Sequence, residues 1–146
     1  LAESGPGEAG GGGLYGGNGF SGAGGGGGGL GGAVFVRAGT VTIMNSTFTN
    51  NAASGGSGAT SFLGSAANGH GKGGAVFALD ATSNPNGNQQ SMPSVLPVVS
   101  GCSNTFSGSA ATDAQSTDSD NPATYGVSLS TMTTPCNLIF SNGFEP

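Results

Sequence analysis

Apolar and polar positions alternate most clearly between residues 31 and 53. Val34 and Val36 flank Phe35, and Thr40-Val41-Thr42-Ile43 alternates with period two. β-branched residues at that period predict short half-buried strands. Ala38-Gly39 separates the first two as a turn, Phe48 opens a third, and Asn50-Asn51 closes it, since Asn tolerates the left-handed conformation. The pattern weakens over residues 54–72, where Gly, Ser and Ala surround Phe62-Leu63, and restarts at Ala75-Val76-Phe77-Ala78-Leu79. Val95 to Val99 predicts a further strand interrupted by Pro97, which places it at an edge or a bulge. Tyr125, Val127 and Leu129 alternate, and with Leu138-Ile139-Phe140 they predict a last coil and its cap.

Two short modules recur within this pattern. The first joins Gly-Gly to an aliphatic and an aromatic residue: Gly11-Gly12-Gly13-Leu14-Tyr15, Gly31-Gly32-Ala33-Val34-Phe35 and Gly73-Gly74-Ala75-Val76-Phe77. The second centres on Phe48, Phe62 and Phe106, each followed by a pair of alanines. Recurrence marks a repeat architecture, and units this short and β-rich predict an all-β fold: a parallel β-helix (a β-solenoid) of five to six irregular coils of about 20 residues. Aromatics at one repeat position are expected to stack from coil to coil. The second module trails the first about twice as far in the later copy, Ala75 to Phe106, as in the earlier one, Ala33 to Phe48. The difference predicts an inserted loop at about 82–93, and the polar, acidic stretch 112–124 predicts a second.

Composition narrows this picture. Glycine supplies 32 of 146 residues and only 6% are charged, against about 25% in an average chain. A thin core of one or two inward residues per strand is therefore expected, filled by direct stacking. Residues 1–30 form a Gly-rich segment open to three readings: flexible chain, tight turns, or extended polyglycine against a neighbour. We expect a lightly ordered first coil near Leu14, Tyr15 and Phe20, followed by the β-helix proper over residues 31–146.

Arg37 and Lys72 are the two basic residues, too few for an electrostatic nucleic-acid binder, and no apolar run approaches a membrane span. The start at Leu1 is expected to reflect a mature or excised part of a longer precursor. Scarce charge with abundant Ser, Thr, Asn and Gly suits a secreted chain, extracellular or at the cell surface. In that compartment Cys102 and Cys136 are expected to form a disulfide, free buried thiols being the alternative.

Gly-Gly-Ala-Val at 31–34 and 73–76, with Phe48-Thr49-Asn50-Asn51, resembles the paired GGA[ILV] and FxxN repeats of polymorphic outer-membrane proteins and related right-handed parallel β-helix surface proteins. The likeness spans about residues 11–111; Phe62 and Phe106 depart from it, with Ser65 and Ser109 where the repeat has Asn. The ending Ile139-Phe140-Ser141-Asn142-Gly143-Phe144-Glu145 is similar to a short tail on exported bacterial proteins. The resemblance implies a β-helix displayed outside a bacterial cell, often adhesive or structural. On it the repeat positions Gly31, Gly32, Val34, Phe35, Phe48, Asn51, Phe62, Gly73, Gly74, Val76, Phe77 and Phe106 are structural.

Few residues offer chemistry. Gly69-His70-Gly71-Lys72 contains a Gly-His-Gly also found in β-helical polygalacturonases, but inverting hydrolysis needs paired carboxylates, and the chain has no Asp-Asp, Asn-x-Asp or Arg-x-Lys. A Gly-flanked turn with an exposed His is expected. Asp113, Asp118 and Asp120 are weak candidates for a calcium site, with a solvated acidic loop as the plainer reading. Asn45-Ser46-Thr47 is a glycosylation sequon inside the repeat and is expected to be a coil corner. Ice binding would need a regular Thr ladder, and the spaced pair Thr40 and Thr42 does not recur one coil later.

The sequence therefore predicts a non-catalytic extracellular structural protein without cofactor: a stalk, adhesin or filament subunit that self-associates by end-to-end stacking. The alternative is a carbohydrate-binding or polysaccharide-degrading β-helix fragment, with cell-surface glycans as partners.

Overall fold

A computed structural model describes residues 10–83 and 92–137 of the chain. The protein is all-β, with short strands joined by corners. In chain order the strands are β1 Gly29–Leu30, β2 Val34–Val36, β3 Thr40–Met44, β4 Thr47–Thr49, β5 Ala52–Ala53, β6 Thr60–Ser61 and β7 Gly64–Ser65. They continue as β8 Gly71–Lys72, β9 Val76–Ala78, β10 Val98–Cys102, β11 Thr105–Ser107, β12 Ala110–Ala111 and β13 Thr124–Tyr125. Helix α1 covers Leu129–Thr133.

Two stretches of chain lie side by side, strand for strand and in parallel. β1 pairs with β8 and β2 with β9, so Val34 meets Val76 and Phe35 meets Phe77. β3 pairs with β10, β4 with β11 and β5 with β12, so Thr42 meets Ser100 and Phe48 meets Phe106. Between these two sets the register lengthens: Val36 is matched to Ala78, but Thr40 to Val98, as the predicted insertion requires. The first turn of that insertion is built on Asp80, whose Oδ1 accepts from Thr82 N at 2.9 Å, while Asp80 N donates to Ser83 Oγ at 2.9 Å. Most of the inserted loop, residues 84–91, lies outside the described residues. β13 then pairs with the far side of β9, giving a three-stranded sheet ordered β13-β9-β2.

The corners explain the repeated residues. Gly31 and Gly73 sit at φ +63° and +61°, conformations that L side chains rarely adopt. The second glycine has another reason: a Cβ on Gly32 would lie 2.1 Å from the Gly74 carbonyl oxygen. Asn45 (φ 50°) and Ser103 (φ 53°) turn equivalent corners of the two stretches, as do Asn50 (φ 54°) and Gly108 (φ 61°). The sequon asparagine is thus an exposed corner residue.

The core is thin. Ala75, Val76, Ala78, Val127 and Met132 are buried together, with Val34, Ile43, Phe48, Val99 and Phe106 against them. Tyr15, Phe77, Leu79 and Tyr125 form a second cluster. Phe48 stacks on Phe106 with centroids 5.0 Å apart, and Phe77 lies between Phe35 (5.3 Å) and Tyr125 (5.1 Å), all within 12° of parallel.

Four expectations need correction. Phe62 joins no stack: it sits in the turn between β6 and β7, the antiparallel pair, and is 95% exposed. The Gly11–Tyr15 copy forms no strand, because Tyr15 takes φ 51° and packs edge-on against Phe77. The third aromatic of that ladder is Tyr125 instead. β10 begins at Val98 rather than Val95, after Pro97, which has no N–H to donate. The predicted alternation beyond Tyr125 ends at Gly126 (φ +70°), and Ser128 caps α1 by accepting from Thr131 N. Leu138-Ile139-Phe140 lies outside the described residues.

Residues 10–30 of the Gly-rich segment are not lightly ordered chain but backbone packed on backbone. Gly17 N donates to Gly26 O, Gly26 N to Ala67 O, Gly56 N to Gly27 O and Gly69 N to Gly56 O, all at 2.7–2.9 Å. A Cβ on Gly17, Gly26 or Gly55 would lie 1.9 Å from a neighbouring carbonyl oxygen. Of the readings open to this segment, close packing against neighbours is the one realised, and it extends to residues 54–70.

Candidate functional site

Two regions are candidates for a functional role: a polar cluster where β8 meets the acidic loop, and the outer edge of β2–β5, on which no strand lies among the described residues.

The polar cluster grows from the Gly-flanked β8. Gly71 N donates to Asp113 Oδ2 at 2.9 Å, and His70 Nδ1 lies 3.4 Å from Asp113 Oδ1. Lys72 is buried; its Nζ reaches Asp120 Oδ2 at 2.7 Å and the Asp113 carbonyl at 2.5 Å, 5.6 Å from the Tyr125 ring centroid. The Tyr15 and Tyr125 hydroxyls are hydrogen-bonded to each other, and Tyr125 also donates to Asp80 Oδ1 at 3.2 Å. Burial, reinforced by the Tyr125 hydroxyl, pushes the Tyr15 phenol far above its ordinary range.

The acidic residues disperse rather than converge. Asp113 belongs to Gly71 and His70, and Asp120 to Lys72. Asp118 holds the start of α1, accepting from Ser130 N at 2.8 Å and from the Ser128 hydroxyl. These donors hold the Asp113 and Asp118 carboxyls below their ordinary value, the Gly71 N–H leading for the first and the Ser128 hydroxyl for the second. Among the described residues no group of three or more His, Cys, Asp or Glu is arranged to hold a metal. His70 and Asp113 are 42% and 38% exposed, and among the described residues no hydroxyl or thiol is hydrogen-bonded to the imidazole. That leaves an acid–base pair with no nucleophile attached to it. The pair joins the loop after β12 to β8. Arg37 is exposed in the turn after β2.

The edge is a different surface. Each of β2, β3, β4 and β5 has one strand partner, and all of those lie on β9–β12. Among the described residues the backbone bonds of this stretch run the same way, as in Asn45 N to Cys102 O and Asn50 N to Ser107 O. Phe35 is 46% exposed and Val34 half-buried, whereas their register partners Phe77 and Val76 are 0% exposed. Val41, Ile43 and Phe48 are half-buried, as are their register partners Val99, Gly101 and Phe106. Outside them Thr42 pairs with the Ser100 hydroxyl at 3.2 Å and Thr49 with Ser107 at 3.4 Å, a two-rung hydroxyl ladder in the same register as the strands.

The opposite edge is covered in part, at β13 and at the end of β10; β11 and β12 have no strand on that side among the described residues. Asp120 bridges Tyr125 antiparallel, closing β13. Ser103 N donates to Thr134 O at 2.7 Å and Asn104 N to Met132 O at 3.0 Å, so the α1 segment closes β10. Cys102 and Cys136 form the disulfide, Cα atoms 5.0 Å apart, tying that segment down.

Of the repeat residues, Gly31, Gly32, Val34, Phe35 and Phe48 line the uncovered edge, and Gly73, Gly74, Val76, Phe77 and Phe106 lie one strand further in. Asn51 stands opposite Ser109, one step before the Ala52–Ala110 pair, and its carbonyl accepts from Ala110 N. Asn104 ties the two stretches through its side chain, donating to Ile43 O at 2.8 Å and accepting from Ser46 N at 3.0 Å. The sequence reading missed the roles of Asn104, Lys72 and Tyr125. A lone Lys in a chargeless stretch was the available signal for Lys72, and an aliphatic-free Thr-Tyr concealed Tyr125. No family model matches the chain, and no curated protein or solved structure matches it either.

Proposed function

We propose that this chain is a non-catalytic structural module working outside a bacterial cell, a right-handed parallel β-solenoid akin to the GGA[ILV]/FxxN surface proteins, that associates through its uncovered coil end. In this reading β1–β5 form one coil, β8–β12 a second, and β13 with α1 a closing partial coil. The carrying observation is the contrast between Phe35 and Phe77: one register position, buried where a further strand lies on it and half-open where none does. An uncovered strand edge with apolar side chains is a template for pairing. The disulfide fits an oxidising compartment.

The glycan-degrading alternative needs acidic groups free to act on a substrate. Here the carboxylates of Asp80, Asp113, Asp118 and Asp120 are each engaged by donors of the chain itself. The discriminating experiment incubates the protein with neutral and acidic polysaccharides and measures reducing ends and binding, alongside sedimentation velocity over a range of concentrations. Mass increasing with concentration, with no reducing ends released, supports the structural reading. Released reducing ends, or glycan binding by a strict monomer, would contradict it.

A further inference from the structure

We infer that the uncovered coil end pairs with the same end of a second copy, giving a closed two-fold dimer rather than a head-to-tail filament. The inference rests on the structural reading above and specifies its partner.

Head-to-tail growth needs two fully open ends, and among the described residues one of them is partly obstructed. The Asp120–Tyr125 bridge lies on β13, and the α1 segment holds the corner after β10, where Ser103 N and Asn104 N donate to Thr134 O and Met132 O, while β11 and β12 have no strand on that side. Between them Phe106, Pro122, Ala123 and Leu129 line a depression of about 240 Å³. Capping is how stacked repeats end. A subunit with one fully open face closes with its like, through an isologous contact.

The open end is built for self-pairing. Its strands run three, five and three residues (β2, β3, β4), centred on Thr42. A two-fold axis through Thr42 lays β3 antiparallel on its own copy and brings β2 beside the partner's β4. A two-fold contact also sets like charges near each other, and no Asp, Glu, Lys or Arg lies within the strands β2, β3, β4 or β5. Edges that avoid pairing carry such charges, or Pro. The four acids among the described residues (Asp80, Asp113, Asp118 and Asp120) all follow β9 in the chain. Finally, the contact continues one already made: the sheet β13-β9-β2 and the ring stack Tyr125/Phe77/Phe35 both end at this surface.

Sedimentation equilibrium on the intact, oxidised chain tests this, with Thr42→Lys at the axis, Phe35→Ser as a second open-end variant, and Thr133→Lys on the closed end. Circular dichroism identifies any variant that fails to fold. The expected result is a monomer–dimer equilibrium whose dissociation constant rises at least about tenfold in Thr42→Lys or Phe35→Ser and is unchanged in Thr133→Lys. Species beyond the dimer that Thr133→Lys also disrupts would overturn two-fold pairing while leaving self-association intact. A dimer indifferent to both open-end variants would place the contact elsewhere and overturn the inference. A monomer at every concentration would remove both this pairing and the association reading beneath it.

Discussion

Phe35 and Phe77, register partners in β2 and β9, stack face to face, 5.3 Å between centroids and 9° from parallel. Phe77 has a second ring, Tyr125, on its other side and is wholly buried; Phe35 has none and remains 46% exposed. The pair is a within-molecule comparison of one position with and without a covering strand.

It yields a stability prediction. Phe77→Ala opens a cavity between two rings and should cost about 3–5 kcal/mol. Phe35→Ala removes a side chain that already meets water and should cost at most about half that. Urea unfolding of the two variants checks the order; equal losses would mean that Phe35 is covered in solution, as in the dimer.

Adjacent glycines give a sharper contrast. A Cβ on Gly26 would stand 1.9 Å from Gly56 O, whereas a Cβ on Gly27 meets nothing within 4 Å. Gly26→Ala should force backbones apart and destabilise by about 1–3 kcal/mol or more. Gly27→Ala should be neutral, or stabilising by up to about 1 kcal/mol through the unfolded chain. Thermal melts of the two variants report the difference.

Reduction should loosen the closed end. Cys102 and Cys136 are separated by 34 positions in the chain, and a loop of that size contributes about 3–4 kcal/mol on the chain-entropy account. The urea midpoint should fall by the corresponding amount in reductant, and a Cys102→Ser/Cys136→Ser double variant should match the reduced protein without responding to reductant.

Acid should destabilise the fold through Asp113. The Gly71 N–H, then the Thr112 hydroxyl and His70, hold its folded value below the ordinary 3.8. As pH falls the unfolded chain takes up the proton first, so this contribution is complete above about pH 5 and is lost as pH drops through the folded value. Asp118 acts in the same direction through Ser128 and Ser130. Unfolding free energy measured from about pH 6 to pH 2 should decline below about pH 4, less steeply in Asp113→Asn.

The sequence made the strands of residues 31–53 legible because alternation and corner residues coincide there: Val41 and Ile43 turn inward, and Asn45 and Asn50 turn the chain. It also showed the change of register between β9 and β10, since the two modules shift by the same amount relative to each other. It misplaced Phe62 and Tyr15, because a motif match is blind to the backbone angle that sends a ring outward or sideways. The glycine packing was one of three open readings; with no side chains there is no period to read, only contacts between backbones distant in sequence. The polar cluster was hidden for a related reason. His70, Lys72, Asp113 and Asp120 are brought together by β8 lying beneath a loop that follows only after β12.

The central claim is a chain stacked on itself, β2 on β9 and then β3 on β10, with one edge left uncovered. Its most direct test is a nuclear Overhauser map of the labelled protein at low concentration. The account predicts interstrand contacts of Val34, Phe35 and Val36 with Val76, Phe77 and Ala78, and of Thr40–Met44 with Val98–Cys102, with the remaining edge amides of β3 exchanging fast. Contacts in another register, or none beyond near neighbours, would contradict it.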